Sequence, residues 1–183
     1  MSRLNTPTIE TAPAAARPAL EGARKSLGMV PNMFRVIANS PAALDGYLGL
    51  HAALSRGALD AKTRERIALA VADLNGCNYC LSAHTYLGKN VAKLDEAEIA
   101  ANRSGASNDA KADVAVRLAT AIVRQRGHID DAALTAARAA GFGDAEIVEI
   151  VAHVALNTLT NYINEVAGTE IDFPAVSPAL HAA

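Results

Sequence analysis

The amino-acid sequence predicts an all-α fold of about eight or nine helices. Ala, the residue with the highest intrinsic helix propensity, makes up 41 of the 183 residues. Apolar residues recur at helical spacing in successive segments, and no segment reads convincingly as a strand. Aromatic residues, which are enriched in strands, make up only 4% of the chain. A β-sandwich or a β-barrel is therefore not expected.

The chain is long enough for a single domain with one buried core. We expect that domain to cover residues 1–183, with an extended N-terminal arm at about 1–17 and a C-terminal tail at about 169–183. Five prolines lie in or next to these two terminal segments: Pro7, Pro13, Pro18, Pro174 and Pro178. Because proline interrupts helices, each end is expected to lie on the surface or on a neighbouring subunit.

Prolines and glycines delimit the helices of the first third of the chain. Short helices are expected at residues 18–27 and 32–38. The second must end before Pro41, because the residue that precedes a proline disfavours the α conformation. A longer helix is expected at residues 41–55 and is closed by Gly57.

The next two helices are separated by a clear break. Asp60 is a good N-cap for the first of them, and the Asn75-Gly76 pair ends it. Its apolar face is formed by Ile67, Ala70, Val71 and Leu74. The second is expected at residues 77–87, closed by Gly88 and Asn90.

Four further helices are expected in the second half of the chain. N-cap residues begin them and glycine ends three of them. Their expected ranges are about 95–102, 109–127, 130–141 and 144–167, with Gly168 ending the last.

Charge and hydropathy exclude several classes of partner. The 17 Lys and Arg residues are outnumbered by 19 Asp and Glu, so no positive excess is available to bind a phosphate backbone. The longest wholly apolar stretch, residues 67–72, is far shorter than the roughly 18 residues of a membrane helix. Residues 1–17 lack the apolar run of a secretory signal. We therefore expect a cytoplasmic protein that binds neither nucleic acid nor membrane.

Two cysteines, Cys77 and Cys80, form a C-x-x-C pair in a chain with no others. In a reducing compartment such a pair is more often catalytic or metal-binding than a structural disulfide. If a helix begins near Cys77, both cysteines share a face with His84, and Glu65 can reach them from the preceding helix. A helix N-terminus, a histidine and a carboxylate together favour the reactive thiolate. These four residues are the candidate catalytic site.

The spacing leaves open which of the two sulfurs attacks. Cys77 is nearer the helix N-terminus, whereas Cys80 is one turn before His84 and better placed for proton transfer. We favour Cys80 as the thiol that attacks peroxide and Cys77 as the resolving thiol. The cycle would pass through a sulfenic acid on Cys80 to a disulfide, which an external dithiol must reduce.

Other roles for these residues stay open at this level. The cysteines could simply pack in a helical core, or they could bind zinc with His84 and Glu65, although structural zinc sites mostly need four ligands. Tyr79 is expected to project away from the cysteine face and to pack. His153, on an apolar helix, is expected to be a satisfied core or interface histidine.

At these positions the sequence resembles the carboxymuconolactone decarboxylase superfamily, and within it the AhpD-like alkylhydroperoxidases and their peroxidase-related relatives. The family pattern is a glutamate, eleven residues, C-x-x-C, three residues and a histidine, which Glu65, Cys77, Cys80 and His84 match. Met29-Val30-Pro31-Asn32 and the segment 157–174 also look like this branch. The likeness covers about residues 28–174.

The resemblance implies an all-α fold assembled as a homotrimer or homohexamer, with the site near subunit contacts. It implies that Cys80 attacks peroxide, that Cys77 resolves, and that Glu65 and His84 relay protons. The family type has a further histidine directly before the second cysteine, where this sequence has Tyr79.

The expected function is that of a thiol-dependent peroxidase, an oxidoreductase in antioxidant defence. Its substrates would be organic hydroperoxides or hydrogen peroxide. It would use no cofactor beyond the redox-active Cys77 and Cys80, which a dithiol electron donor protein would reduce. The alternatives are a non-enzymatic redox-sensing thiol switch and a decarboxylase-type lyase, the activity of family members that lack the cysteines.

Overall fold

In a computed structural model, residues 2–179 form nine α-helices and one short 3-10 helix (Ala14–Ala16), with no strand in that part of the chain. The α-helices are α1 (Arg17–Leu27), α2 (Asn32–Ile37), α3 (Pro41–Leu54), α4 (Ala61–Leu74), α5 (Asn78–Asn90), α6 (Glu96–Arg103), α7 (Ala110–Gln125), α8 (Asp131–Ala139) and α9 (Asp144–Ala167). The predicted all-α class is confirmed. Residues 180–183 of the predicted tail lie outside the described residues, as does residue 1.

Helix α4 lies at the centre of the fold, where it contacts α5, α6, α7 and α9. Asp60 caps it as predicted, because Asp60 Oδ1 accepts a hydrogen bond from the backbone N–H of Thr63 at 3.0 Å. All residues from 67 to 73 are buried, so this part of α4 packs on every side. Glu65 lies just before that buried stretch and is therefore carried on a firmly held helix.

The short connection between α4 and α5 sets the position of the cysteines. Gly76 has a φ of +69°, in the left-handed region, and the backbone N–H of Cys77 donates to the carbonyl of Ala72 at 3.0 Å. This is the Schellman arrangement that commonly closes a helix. Cys77 is at the same time the N-cap of α5. The predicted break at Asn75-Gly76 is thus confirmed, and it fixes Cys77 between two helices.

Helix α5 is longer than predicted. The sequence predicts an end at Leu87 with Gly88 and Asn90 closing the helix, but α5 includes Gly88 and continues to Asn90. A Cβ added at Gly88 would lie 3.6 Å from a methyl of Leu94 and 3.7 Å from a methyl of Leu69. Gly88 therefore lies inside the helix, at a point where neighbouring side chains approach the backbone.

Both terminal segments lie against helices of the same chain. In the arm, the backbone carbonyls of Thr6 and Pro7 accept hydrogen bonds from Arg35 at 2.8 and 2.9 Å. In the tail, the backbone N–H of Val176 donates to Ser82 Oγ at 2.9 Å. The expected contact of these segments with a neighbouring subunit stays a prediction.

Helix α9 closely matches its predicted range. It has 24 residues and ends where Gly168 adopts a φ of +57°. Its inner side contacts α2, α3, α4, α5 and α7, so α9 supplies a second wall beside α4 and α5. Neither α9 nor any other helix within residues 2–179 is long and apolar enough to cross a bilayer.

Candidate active site

Cys77 and Cys80 are free thiols at the start of α5, and both are buried. Helix α5 begins at Asn78, so Cys77 is its N-cap rather than part of its first turn. The sulfur of Cys77 accepts a hydrogen bond from the backbone N–H of Cys80, with an N···S distance of 3.4 Å. The pair is therefore held at a helix N-terminus, whose dipole favours a thiolate.

Helix α9 provides the other contacts of the Cys80 sulfur. Asn164 Nδ2 donates to Cys80 Sγ at 3.1 Å, and the Cys80 thiol lies 3.9 Å from Thr160 Oγ1. The Thr160 hydroxyl itself donates to the backbone carbonyl of Asn157 at 2.9 Å, which presents its oxygen to the thiol as an acceptor. Cys80 is thus surrounded by groups that orient its sulfur.

The pKa values of the two thiols move in opposite directions. A hydrogen bond from Cys77 lowers the pKa of Cys80 against the opposing effect of burial, and the charge of His84 and the amides of Asn161 and Asn164 lower it further. The pKa of Cys77 is raised by the same hydrogen bond and by burial. Because one thiol stabilises the thiolate of the other, Cys80 is the more acidic member of the pair.

Glu65 and His84 form a pair at the edge of this buried site. His84 Nδ1 lies 2.9 Å from Glu65 Oε2, and the two side chains are 21% and 23% exposed. Burial lowers the pKa of His84, but Glu65, Cys80 and Asn157 together raise the pKa above its ordinary value. The pair therefore favours an imidazolium that donates through Nδ1 to Glu65.

His84 and Cys80 interact through charge. Each shifts the pKa of the other in the direction that favours the ion pair. The side-chain hydrogen bonds described for the Cys80 sulfur run to Thr160 and Asn164 rather than to His84. A proton that passes from His84 to the reacting atoms at Cys80 would therefore pass to a bound substrate or through a water.

The sequence patterns missed a line of polar side chains on α9. These residues are all buried on the inner side of an otherwise apolar helix, and they recur at helical spacing. They are His153, Asn157, Thr160, Asn161 and Asn164. Since buried polar residues need partners, such a line within an apolar helix is the pattern that could have indicated a site.

Two aromatic side chains of α3 also lie near the site. The rings of Tyr47 and His51 are 5.9 Å apart between centroids. Burial raises the pKa of Tyr47, as do the charges of Cys80 and Glu65. Burial lowers the pKa of His51, with a further lowering by His84. Tyr47 and His51 of α3 therefore lie close enough to the site for its charges to act on them.

His153 is buried as expected, but it is not satisfied. Its Nε2 atom has no hydrogen-bond partner among the described residues. Burial and the positive charge of Arg64 lower the pKa of His153 to about 4. His153 is therefore a neutral imidazole near neutral pH. Its core position is confirmed, whereas a partner for Nε2 at an interface stays a prediction.

Tyr79 packs on the other side of α5, in agreement with the expectation. Its hydroxyl oxygen accepts a hydrogen bond from the backbone N–H of Met33 at 3.2 Å. Its ring contacts Phe173 of the tail edge-on, at 5.9 Å between centroids. The position that carries a histidine in the family type is therefore occupied here by a residue that joins α5 to α2 and the tail.

The candidate residues do not form a metal site. Within residues 2–179, no group of three or more His, Cys, Asp or Glu side chains is arranged to hold a metal ion. Glu65 is hydrogen-bonded to His84, and Cys80 to Asn164. The zinc interpretation of the four residues therefore finds no ligand set in the described part of the chain.

These features resemble those of several known proteins. The model of the carboxymuconolactone decarboxylase family matches residues 41–117, which include Glu65, both cysteines and His84. The structure of an alkylhydroperoxidase AhpD core, a peroxidase-related protein from Ralstonia eutropha JMP134, is 26% identical in sequence to this chain. Its superposition has a TM-score of 0.83 and includes 93% of this chain and 92% of the Ralstonia chain. A peroxidase-related protein from Silicibacter sp. TM1040 has 25% identity, a TM-score of 0.81 and coverages of 92% and 91%.

Two further matches are more limited. An uncharacterized protein from Haemophilus influenzae is 56% identical over 45 residues, which are 24% of this chain. The match spans 40% of that protein's length, less than half of this curated relative. The debrominase Bmp8, in complex with 2,3,4-tribromopyrrole, matches with a TM-score of 0.72 and 18% sequence identity. The match includes 85% of this chain and 84% of the Bmp8 chain, and at this identity it shows a shared fold alone.

The helical fold is shared with these AhpD-like, peroxidase-related structures over most of the chain. The chain is similar to the carboxymuconolactone decarboxylase family over the segment that carries the dithiol turn.

Proposed function

We propose that this protein is a thiol-dependent peroxidase that reduces organic hydroperoxides or hydrogen peroxide through a cycle of Cys77 and Cys80. One observation carries the proposal: Cys80 lies at a helix N-terminus with its sulfur 3.1 Å from Asn164 Nδ2. There Cys77, His84 and two amides lower the pKa of Cys80, whereas the pKa of Cys77 is raised. A peroxidase needs this asymmetry, because the attacking sulfur must be a thiolate while the resolving sulfur stays a thiol until the sulfenic acid has formed.

The first step oxidises Cys80. Its thiolate attacks the hydroxyl oxygen of the hydroperoxide, an S–O bond forms and the O–O bond breaks. The leaving alkoxide or hydroxide takes a proton from His84, whose imidazolium is favoured by Glu65 at 2.9 Å. The products are a sulfenic acid on Cys80 and an alcohol or water.

The second step closes the disulfide. The sulfur of Cys77 attacks the Cys80 sulfenic acid, an S–S bond forms, and water leaves with the proton of Cys77. Cys77 is the N-cap of the helix that carries Cys80, so the two residues already lie in one turn. An external dithiol, which we expect a donor protein to supply, then reduces the disulfide and becomes oxidised itself.

The names of the solved relatives support the same proposal. The two structures with 26% and 25% identity are described as peroxidase-related, and one as an AhpD core. No bound cofactor is required by the cycle, because both electrons come from the external dithiol. We further propose that the protein acts as a homotrimer or homohexamer in the cytoplasm.

The test is consumption of cumene hydroperoxide and hydrogen peroxide with dihydrolipoamide as the dithiol. Cys80→Ser should abolish consumption. Cys77→Ser should stop after one turnover with a sulfenic acid that dimedone traps on Cys80. Asn90→Ala, an exposed site at the far end of α5, serves as the control and should keep full activity. Full turnover by Cys80→Ser would overturn the proposal.

Other outcomes of the same assay would identify the alternatives. A thiol switch would form the Cys77–Cys80 disulfide readily but show no turnover with any dithiol. A lyase of the decarboxylase type would keep its activity on a lactone acid when both cysteines are replaced by serine. Either result, together with no peroxide consumption by the unmodified protein, would replace the peroxidase assignment.

A further inference from the structure

Within residues 2–179, two amide atoms next to the Cys80 sulfur find no hydrogen-bond partner. They are Nδ2 of Asn161 and Oδ1 of Asn164, and their residues are 0% and 2% exposed. Leaving a buried amide atom unpaired is costly, so native proteins rarely do so without a reason. An unpaired donor and an unpaired acceptor therefore lie together in a site whose sulfur is reactive.

The orientation of both amides follows from their other contacts. Asn161 Oδ1 accepts a hydrogen bond from Asn75 Nδ2 at 2.9 Å, which leaves Asn161 Nδ2 as the free end. Asn164 Nδ2 donates to Cys80 Sγ at 3.1 Å, which leaves Asn164 Oδ1 as the free end. Flipping Asn164 would place oxygen against the thiolate, and flipping Asn161 alone would place its nitrogen against the donor of Asn75.

The free atoms match the hydrogen-bonding groups of a hydroperoxide. The terminal oxygen of R–O–O–H carries one O–H donor and accepts through its lone pairs. Asn164 Oδ1 can accept that proton, and Asn161 Nδ2 can donate to the oxygen. Both amides also act on the Cys80 sulfur, since each lowers the pKa of Cys80. An oxygen held by both would therefore lie beside the atom that attacks it.

We propose that Asn161 and Asn164 bind the O–O–H end of the peroxide and hold its terminal oxygen next to Cys80 Sγ. This inference rests on the proposed peroxidase function. As the S–O bond forms and the O–O bond breaks, the terminal oxygen passes from the peroxide to the sulfur. It keeps its proton and both amide contacts, and the leaving oxygen takes its proton from His84. The same two amides then hold the sulfenic acid until Cys77 attacks.

The recognised group is the O–O–H end itself. Hydrogen peroxide and organic hydroperoxides share that end, so both should depend on the two asparagines. An alkylating agent such as iodoacetamide needs the thiolate but has no O–O–H group. The ratio of the peroxide rate to the alkylation rate therefore separates peroxide positioning from a general effect on the sulfur.

The test uses Asn161→Leu, which keeps the volume of the side chain and removes both polar atoms. In a Cys77→Ser background, where only Cys80 reacts, rate constants are measured for hydrogen peroxide, cumene hydroperoxide and iodoacetamide. The pH is set above the inflection of the alkylation profile of each variant. We expect both peroxide rate constants to fall about tenfold, the loss of one hydrogen bond, with the iodoacetamide rate constant unchanged.

A second variant at the same position keeps the inference testable if Asn161→Leu does not fold. Asn161→Asp keeps the acceptor for Asn75 and replaces only the free donor, and it should lower the same ratio once Cys80 is ionised. Asn90→Ala in the same background is the control and should leave the ratio unchanged.

Parallel loss of the peroxide and iodoacetamide rates would overturn the inference, because it would indicate a structural role. Unchanged rates in both variants would overturn it as well, with the peroxidase proposal intact. If Cys80 of the parent chain reacts with peroxide no faster than a free thiolate while alkylation is normal, the proposed function fails and this inference with it.

Discussion

Asn164 donates a hydrogen bond from Nδ2 to the sulfur of Cys80 across 3.1 Å, and both residues are buried. The contact joins α9 to the dithiol helix α5. It lowers the pKa of Cys80, because an amide N–H stabilises the thiolate more than the thiol. In a buried site such a bond is electrostatically stronger than in water. The acidity of the C-x-x-C pair therefore depends on a helix that begins more than sixty residues later in the chain.

Replacing Asn164 with leucine should raise the pKa of Cys80. The expected shift is about one unit, because a hydrogen bond to a charged group contributes about 1.5 kcal/mol and one pKa unit corresponds to about 1.4 kcal/mol. The measurement is the pH dependence of iodoacetamide alkylation in a Cys77→Ser background. The inflection should move to higher pH. An unchanged inflection would contradict the role assigned to Asn164.

The sequence predicted the helix boundaries far better than it predicted which side chains surround Cys80. N-caps, Gly168 and the Asn75-Gly76 break are local features, and local features determine where helices begin and end. The pairing of Glu65 with His84 followed from one short motif. The contact of Asn164 with Cys80 depends on how α9 packs across α5, which no local pattern specifies.

The missed residues have the same physical explanation. A single buried asparagine looks in sequence like any polar residue on a helix surface. Only its place in the recurring polar line of α9 could have indicated that Asn161 faces inward. Gly88 was predicted to end α5, because glycine is typical of a helix end. It lies within α5 instead, where Leu69 and Leu94 approach it.

Glu65→Gln should shift the pH profile of peroxide reduction. The Glu65 carboxylate raises the pKa of His84 in the folded protein, so its removal lets His84 lose its proton at lower pH. Protonated His84 is the form that supplies a proton to the leaving oxygen. The alkaline limb of kcat/KM should therefore move to lower pH, and activity at neutral pH should fall by about tenfold or more.

The measurement is kcat/KM for cumene hydroperoxide across the pH range, with a thermal melt to verify folding. Glu96→Gln, an exposed carboxylate that pairs with Lys89 near the end of α5, is the matched control. An alkaline limb that stays in place would show that Glu65 does not act through His84.

Tyr79→His should lower stability without raising activity. This change restores the histidine that the family type carries before the second cysteine. In this chain the position faces α2 and the tail, where the Tyr79 hydroxyl accepts from the backbone N–H of Met33 and the ring packs on Phe173. Loss of these contacts should cost about 2 kcal/mol.

Urea unfolding measures that loss, and Tyr79→Phe separates the hydroxyl from the ring. A peroxide rate constant higher than that of the parent chain would show that a side chain at this position does reach Cys80.

His153→Leu should make the free energy of unfolding less dependent on pH in mild acid. Burial and the charge of Arg64 lower the folded-state pKa of His153 to about 4 from its ordinary 6.5. Between those two values the unfolded chain binds more protons than the folded chain, so the free energy of unfolding falls as the pH falls. This group contributes up to about 3 kcal/mol to that fall.

Urea titrations at several pH values between 4 and 6.5 measure the slope. The slope should be smaller in His153→Leu than in the parent chain. Identical slopes would mean that folding leaves the pKa of His153 unchanged.

The outer side of α9 predicts self-association. Between residues 148 and 162, every exposed residue of α9 is apolar. These residues are Val148, Val151, Ala155, Leu159 and Tyr162. They follow the helical repeat along one line, on the side away from the polar residues that face the dithiol. A continuous exposed apolar surface of this kind is typical of a protein–protein interface.

Val151→Glu combined with Leu159→Glu should therefore shift the protein toward monomer. Two carboxylates would have to be buried without partners in an interface formed by this line, which is strongly unfavourable. Light scattering coupled to size exclusion gives the mass of each species, and Ala132→Glu on the exposed side of α8 is the control. A monomeric parent chain would overturn the predicted homotrimer or homohexamer, and an unchanged oligomer in the double variant would place its interface away from α9. Because the apolar line and the site occupy opposite sides of one helix, the double variant should keep the alkylation rate of Cys80 if α9 itself stays folded.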